Sequence, residues 1–199
     1  AVEYDAEKKV DTIRKVFVLH EKHLPFRPLV FGGDDVTFVC DGRLGLTLAA
    51  RYLAAFEAES QKRDLNLYAC AGIAVVKTHY PFARAYALAG DLTKAAKHYA
   101  RDEADGRLSA LDWHFAAGGL LGTLDDIRSW EYTVPAGSLT LRPLPLRGAG
   151  VRGWPAFTGV VETFKNGDAW KGHRNKVIAL REILREGPKA MESFLKGLG

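Results

Sequence analysis

Val10, Ile13, Val16 and Phe17, with His20 continuing the same face, fall near a 3.6-residue period with charges between them, which predicts a helix over 6–22. Pro25 and Pro28 end it and push the backbone toward extended geometry. Two short β-rich runs follow, 29–31 and 36–40, joined by Gly32-Gly33-Asp34-Asp35, a composition suited to a hairpin turn. Asp41-Gly42 closes the second strand, and a Leu- and Ala-rich stretch predicts a helix over 44–59. A strand is expected over 66–76, where the small residues Ala69, Ala71, Gly72 and Ala74 allow another element to pack closely. Pro81 breaks the pattern before a long helix over 83–101. A polar loop at 102–107, a strand over 108–115, a turn at Gly118, Gly119 and Gly122, a short helix over 125–130 and a strand over 138–142 come next. Residues 143–155 hold Pro, Gly and Arg and read as a long loop, and helices are expected over 156–165, 174–186 and 188–198.

Up to Val76 this order is helix, strand, strand, helix, strand. It matches an α+β, ferredoxin-like βαββαβ unit whose first strand is absent from this chain. That strand is central in the topology, and without it backbone groups and apolar faces go unpaired. The expectation is that it lies upstream in the native protein or is supplied by another chain. Residues 1–142 then form the first domain, with insertions, and 143–199 form a loop and helical C-terminal extension packing on it.

Composition narrows the picture little. The 199 residues suffice for one substantial domain with an appendage, and 47% hydrophobic with 26% charged residues excludes a disordered chain. No apolar run approaches the roughly 20 residues needed to cross a membrane. The net charge of +4 suits a phosphate-bearing ligand. Cys40 and Cys70 do not make a disulfide framework; they are expected as buried free thiols in core strands, in a cytoplasmic protein.

The Gly-Gly-Asp-Asp turn carries the candidate chemistry. Phosphoryl transfer between nucleotides spreads negative charge over oxygens that must be held in line. Two divalent cations about 4 Å apart can activate an attacking 3′-hydroxyl and stabilise leaving pyrophosphate. Mg²⁺ takes hard oxygen ligands, which adjacent carboxylates supply. Asp34 and Asp35 would be fixed by the turn, and Gly32 and Gly33 have no side chains to keep a triphosphate from the backbone. The same four residue types also serve a plain hairpin turn.

The stretch from Phe31 through Gly-Gly-Asp-Asp to Cys40 resembles the second palm domain of the large, polymerase-like subunit of type III CRISPR effector complexes. Cys70-Ala-Gly-Ile-Ala-Val-Val-Lys-Thr-His-Tyr-Pro81, the helix from Ala85 to Lys97, Ser109-Ala-Leu-Asp-Trp-His114, Leu139-Thr-Leu-Arg-Pro143 and Asn175 to Glu186 are similar to later family segments in the same order. The resemblance covers most of residues 26–186. It implies a metal-dependent nucleotidyltransferase or cyclase that joins nucleoside triphosphate, ATP above all, into a cyclic or short oligonucleotide second messenger in antiviral defence. Asp34 and Asp35 would be the catalytic metal ligands for two Mg²⁺ or Mn²⁺ ions, Gly32 and Gly33 would line the triphosphate, and Lys97 would contact phosphate. The family's nuclease HD pair and zinc-ribbon cysteines have no counterpart here, so the likeness is to the palm alone or to a compact stand-alone relative. A homodimer, RNA or a CRISPR effector complex would be the partners. The alternative is a catalytically inactive palm that binds nucleotide or RNA as a scaffold or sensor.

Other residues carry two readings each. Lys94 and Lys97 share a helical face that can meet phosphate or form a solvated flank. His79, at a strand exit before Tyr-Pro, is a ligand contact or a surface histidine. His20 and His23 have helical spacing for a metal but no third ligand. Asp112 and His114 share a strand face without an assigned role. Arg142, Arg147 and Arg152 beside Trp154 can hold single-stranded RNA or form an exposed loop. Lys171, Arg174, Lys176, Arg181 and Arg185 stud the terminal helices, whose Val177, Leu180 and Leu184 suit packing on the palm or a partner.

Overall fold

A computed structural model describes residues 25–116, 122–148 and 150–197. The helix expected over 6–22, with His20 and His23, and the glycines Gly118 and Gly119 lie outside the described residues. The chain is α+β and divides into two compact units, Ala1–Gly45 and Leu46–Gly199.

In the first unit, β1 (Phe26–Gly32) and β2 (Asp35–Cys40) form an antiparallel two-stranded sheet. Pro28 has no amide hydrogen to give the ladder, and the register slips between Pro28 and Val30, a bulge at the position where proline is tolerated. Phe26 and Phe38 pair across the strands with ring centroids 5.4 Å apart. Asp41 ends β2 and caps the next helix: its Oδ1 accepts from the Arg43 amide at 2.9 Å. The Arg43 guanidinium grips the same carboxylate and lowers its pKa to about 2.

Helix α1 (Gly42–Gln61) runs from the first unit into the second. There β3 (Cys70–Val76), α2 (Phe82–Ala104) and β4 (Ala110–Ala116) make a βαβ unit with β3 and β4 parallel, in register from Cys70 opposite Ala110 to Val76 opposite Ala116. Helix α3 (Leu124–Tyr132) follows, opened by a Thr123–Asp126 capping box. The two-residue strands β5 (Thr133–Val134) and β6 (Gly137–Ser138) pair with each other, and β7 (Leu144–Pro145) adds antiparallel to β4. Helices α4 (Trp154–Asn166), α5 (Arg174–Glu186) and α6 (Pro188–Lys196) complete the chain.

The parallel pair is covered on both faces, as parallel sheets require. Leu111 and Trp113 pack with Ala50 and Leu53 of α1 and with Leu144 and Leu146, flanked by Ala71, Ile73, Trp154 and Phe157. On the other face Leu88 and Leu92 of α2 pack with Ala116, flanked by Ala74 and Val76. Burying Leu53 and Leu92, 1% and 0% exposed, stabilises the fold by about 1.5–3 kcal/mol each. A Cβ on Gly72 would stand 2.1 Å from the Ala89 carbonyl oxygen and 2.4 Å from the Thr93 amide nitrogen, so only glycine lets α2 approach this closely.

Four expectations need correction. The strand expected over 66–76 begins at Cys70: Asn66 takes positive φ (48°), and the amides of Leu67 and Ala69 donate to the hydroxyls of Ser60 and Ser109 rather than to a ladder. The strand expected over 138–142 stops at Ser138: Thr140 Oγ1 takes the Arg142 amide at 3.2 Å, a local bond that competes with a ladder. The next pairing comes from Leu144–Pro145, inside the stretch expected as loop. Cys40 and Cys70 are free and half-buried rather than core thiols, and burial raises the pKa of both.

Candidate functional site

Strand pairing of Gly32 with Asp35 leaves Gly33 and Asp34 alone as a two-residue hairpin loop. Of the pair only Gly33 has positive φ, +61°, the pattern of a type II′ turn with glycine at the first loop position. The turn is tighter than a four-residue linker, and it sets Asp34 on the loop and Asp35 on the first rung of β2. All four residues are exposed. Nothing lies within 4 Å of where a Cβ would stand on Gly32 or Gly33, so a ligand can approach the backbone there from open solvent.

Among the described residues, neither the Asp34 nor the Asp35 carboxylate has a hydrogen-bond or ion-pair partner. Two adjacent exposed carboxylates on a turn are open to a cation from solvent. As a donor set they fit Mg²⁺, which is held by one or two carboxylates while water and substrate phosphates supply the rest. Among the described residues no group of three or more His, Cys, Asp or Glu side chains gathers as a metal cage.

The structure brings together Gly32, Gly33, Asp34 and Asp35. Lys97 belongs to the other unit, on the exposed side of α2, near enough to Cys70 for its charge to oppose the burial-driven rise of that thiol's pKa. Lys94 is taken up by Asp91 at 3.0 Å on the helix surface, the solvated-flank reading. His79 is exposed in the turn after β3. The next residue, Tyr80, has a buried hydroxyl without a hydrogen-bond partner among the described residues.

The basic loop is tied to its own chain. Arg142 donates to the Trp113 carbonyl and to Thr140 Oγ1, and its guanidinium lies 4.6 Å from the centre of the Tyr132 ring. Arg147 reaches the buried Glu57 at 2.7 Å, and Arg152 lies over the Tyr99 ring at 5.9 Å. Trp154 packs edge-on against Trp113, with centroids 6.4 Å apart.

Asp112 and His114 acquire a setting that the sequence leaves open. Both are buried on the face of β4 turned to α2 and α3. Asp112 accepts from the Trp113 amide at 2.8 Å and from Arg128 of α3 at 2.5 Å. Burial nonetheless raises its pKa, the Arg128 contact only moderating the rise. Burial likewise lowers the pKa of His114, with Glu131 and Asp112 pulling upward and Arg142 and Arg128 downward. Sequence reading missed Arg128 and Glu57, whose partners lie 16 and 90 residues away; the only local signal is a charged residue at an apolar helix position.

Against this geometry, no family model matches the chain and no curated protein matches it significantly. Among the described residues no helix is long and apolar enough to cross a membrane.

Proposed function

We propose that the chain is a palm-type nucleotidyltransferase that condenses nucleoside triphosphates, ATP foremost, into a cyclic or short oligonucleotide signal. The observation that carries this reading is the hairpin turn, where two neighbouring carboxylates without a partner among the described residues follow two glycines with open space around them. Such a set of hard oxygen donors beside accessible backbone suits a cation and a polyphosphate. The order strand, strand, helix, strand over β1, β2, α1 and β3 follows that of a ferredoxin-like palm after its first strand and helix, although β1 and β2 pair only with each other and β3 pairs with β4 among the described residues.

In this mechanism Gly32 and Gly33 admit the triphosphate to the backbone, and Asp34 and Asp35 would hold Mg²⁺ or Mn²⁺. When bound, the metal would supply activation of the 3′-hydroxyl and charge neutralisation at the leaving group. The 3′-hydroxyl oxygen bonds to an α-phosphorus, the bond to the β-phosphate oxygen breaks, pyrophosphate leaves, and the hydroxyl proton passes to solvent. Lys97 is assigned a phosphate contact by the family resemblance alone. Action in antiviral defence, in the cytoplasm, beside a CRISPR-type complex, belongs to the same proposal.

A second reading is a palm that binds nucleotide or RNA without turnover, favoured by the lack of a third acidic ligand among the described residues. Incubation with each of the four nucleoside triphosphates and Mn²⁺, followed by mass spectrometry, separates the two. A new oligonucleotide or cyclic species, absent with Asp34→Ala/Asp35→Ala, supports the enzyme and names the base. Metal-dependent nucleotide binding without any product supports the second reading.

A further inference from the structure

The helices α4 and α5 and the turn between them flank an open, shallow cavity of about 350 Å³. Its walls are Val161, Phe164, Trp170 and Val177, and two cations, Lys165 and Arg174, stand on its lining. Among the described residues no carboxylate lines it. We propose that this cavity binds a small aromatic anion, with the ring against Phe164 and Trp170 and a phosphate or carboxylate between Lys165 and Arg174.

The aromatic part follows from the walls. Phe164 and Trp170 meet edge to face, with centroids 4.9 Å apart and planes at 82°, which leaves each ring with a free edge or face for a third ring. The connection holds Trp170 in place: its amide donates to the Gly167 carbonyl at 2.9 Å, and its own carbonyl accepts from the His173 amide at 2.9 Å. Gly167 is itself required, since a Cβ there would stand 2.6 Å from the Thr163 carbonyl oxygen. The volume lies at the low end of the range of roughly 300–1,000 Å³ for small-molecule sites, so the ligand is a single ring system with a short polar arm.

The anionic part follows from the charges. Neither Lys165 nor Arg174 has an ion-pair or hydrogen-bond partner among the described residues. Lys94 and Arg147 in the same unit both find carboxylates. Arg174 opens α5, whose first turn has neither an acidic residue nor a side-chain cap, so the helix adds to the positive potential. A planar guanidinium and an ammonium at the rim of an apolar cavity suit one phosphate or carboxylate. The site is separate from the hairpin and does not depend on the nucleotidyltransferase reading.

Calorimetric titration of the full chain with 1-naphthyl phosphate and with 2-naphthoate tests it, the tighter of the two naming the acid group. The expected result is one site per chain for at least one of them. Lys165→Gln/Arg174→Gln should weaken it about tenfold or more, as loss of two charge-assisted contacts implies. Neutral 1-naphthol should bind correspondingly more weakly than either anion. Asp34→Ala/Asp35→Ala should leave the affinity unchanged. Both cations are exposed, so circular dichroism of their double variant should match the parent. Three results would each overturn the proposal: no binding of either anion, undiminished binding by the cation variant, or decanoate binding as tightly as the aromatic anions.

Discussion

The β1–β2 hairpin and the β3–α2–β4 unit are built from similar apolar strand residues and bury them differently. In β4, Leu111 is fully buried and Trp113 is 5% exposed; in the hairpin, Phe31 is 80% exposed, and Leu29, Val30 and Val39 are open as well. The aspartates divide the same way. Asp112 is enclosed and satisfied by an amide and a guanidinium, whereas Asp34 and Asp35 stand in solvent with no partner among the described residues. A strand clad on both faces spends its polar groups on its own fold. A two-stranded hairpin is only marginally stable by itself, and its exposed groups remain open to metal, phosphate or a further strand.

The largest effect expected is therefore in the clad region. Asp112→Ala removes the partner of a largely buried guanidinium and should cost about 3–5 kcal/mol in urea unfolding. A loss under about 1 kcal/mol would show that Arg128 is solvated and the contrast false. Gly72→Ala comes next: its Cβ meets two backbone atoms of α2, and overpacking of this kind costs about 1–3 kcal/mol. A neutral result would mean that α2 is free to shift. In the hairpin, Phe31→Ser should change stability by no more than about 0.5 kcal/mol, as at other exposed positions. A drop of more than about 2 kcal/mol would instead reveal a partner surface covering that strand.

The smallest effect is one of pH. The folded pKa of His114 lies below its ordinary 6.5, so the unfolded chain takes up a proton first on acidification. Stability from this group is present above pH 6.5 and is lost as pH falls from there through the lowered folded value. Asp112 acts in the opposite sense: its raised pKa costs stability as pH rises from the ordinary carboxyl value through the folded one. Glu131, Arg142, Arg128 and Asp112 all act on His114, so His114→Gln should flatten the acid-side slope without moving the neutral plateau greatly. An unchanged slope would assign it to other groups.

The contrast also explains what the sequence reveals. The hairpin, α1 and α2 are legible because glycine turn chemistry and helical periodicity are local. The start of β3 is not, because Asn66 adopts left-handed backbone that a run of apolar residues does not disclose. β7 hides in a Pro-rich stretch because edge pairing of Leu144 and Pro145 with β4 depends on residues more than 30 positions away. The turn carboxylates stand out by composition alone. The fates of Arg142, Arg147 and Arg152 do not, since each is fixed by a ring or carboxylate distant in the chain. The cavity between α4 and α5 is likewise invisible in the spacing of its residues, which read simply as amphipathic helix.

Under the proposed function Asp34 and Asp35 are catalytic carboxylates rather than turn residues. Pyrophosphate release from ATP with Mn²⁺, followed for the parent chain and for Asp34→Asn/Asp35→Asn, tests it most directly, since the amides keep the turn's shape and remove its charge. Metal-dependent release by the parent is expected, with a loss of about a hundredfold or more in the variant, the scale of removing transition-state electrostatics. Release at equal rates from both chains, or none from the parent, would contradict it.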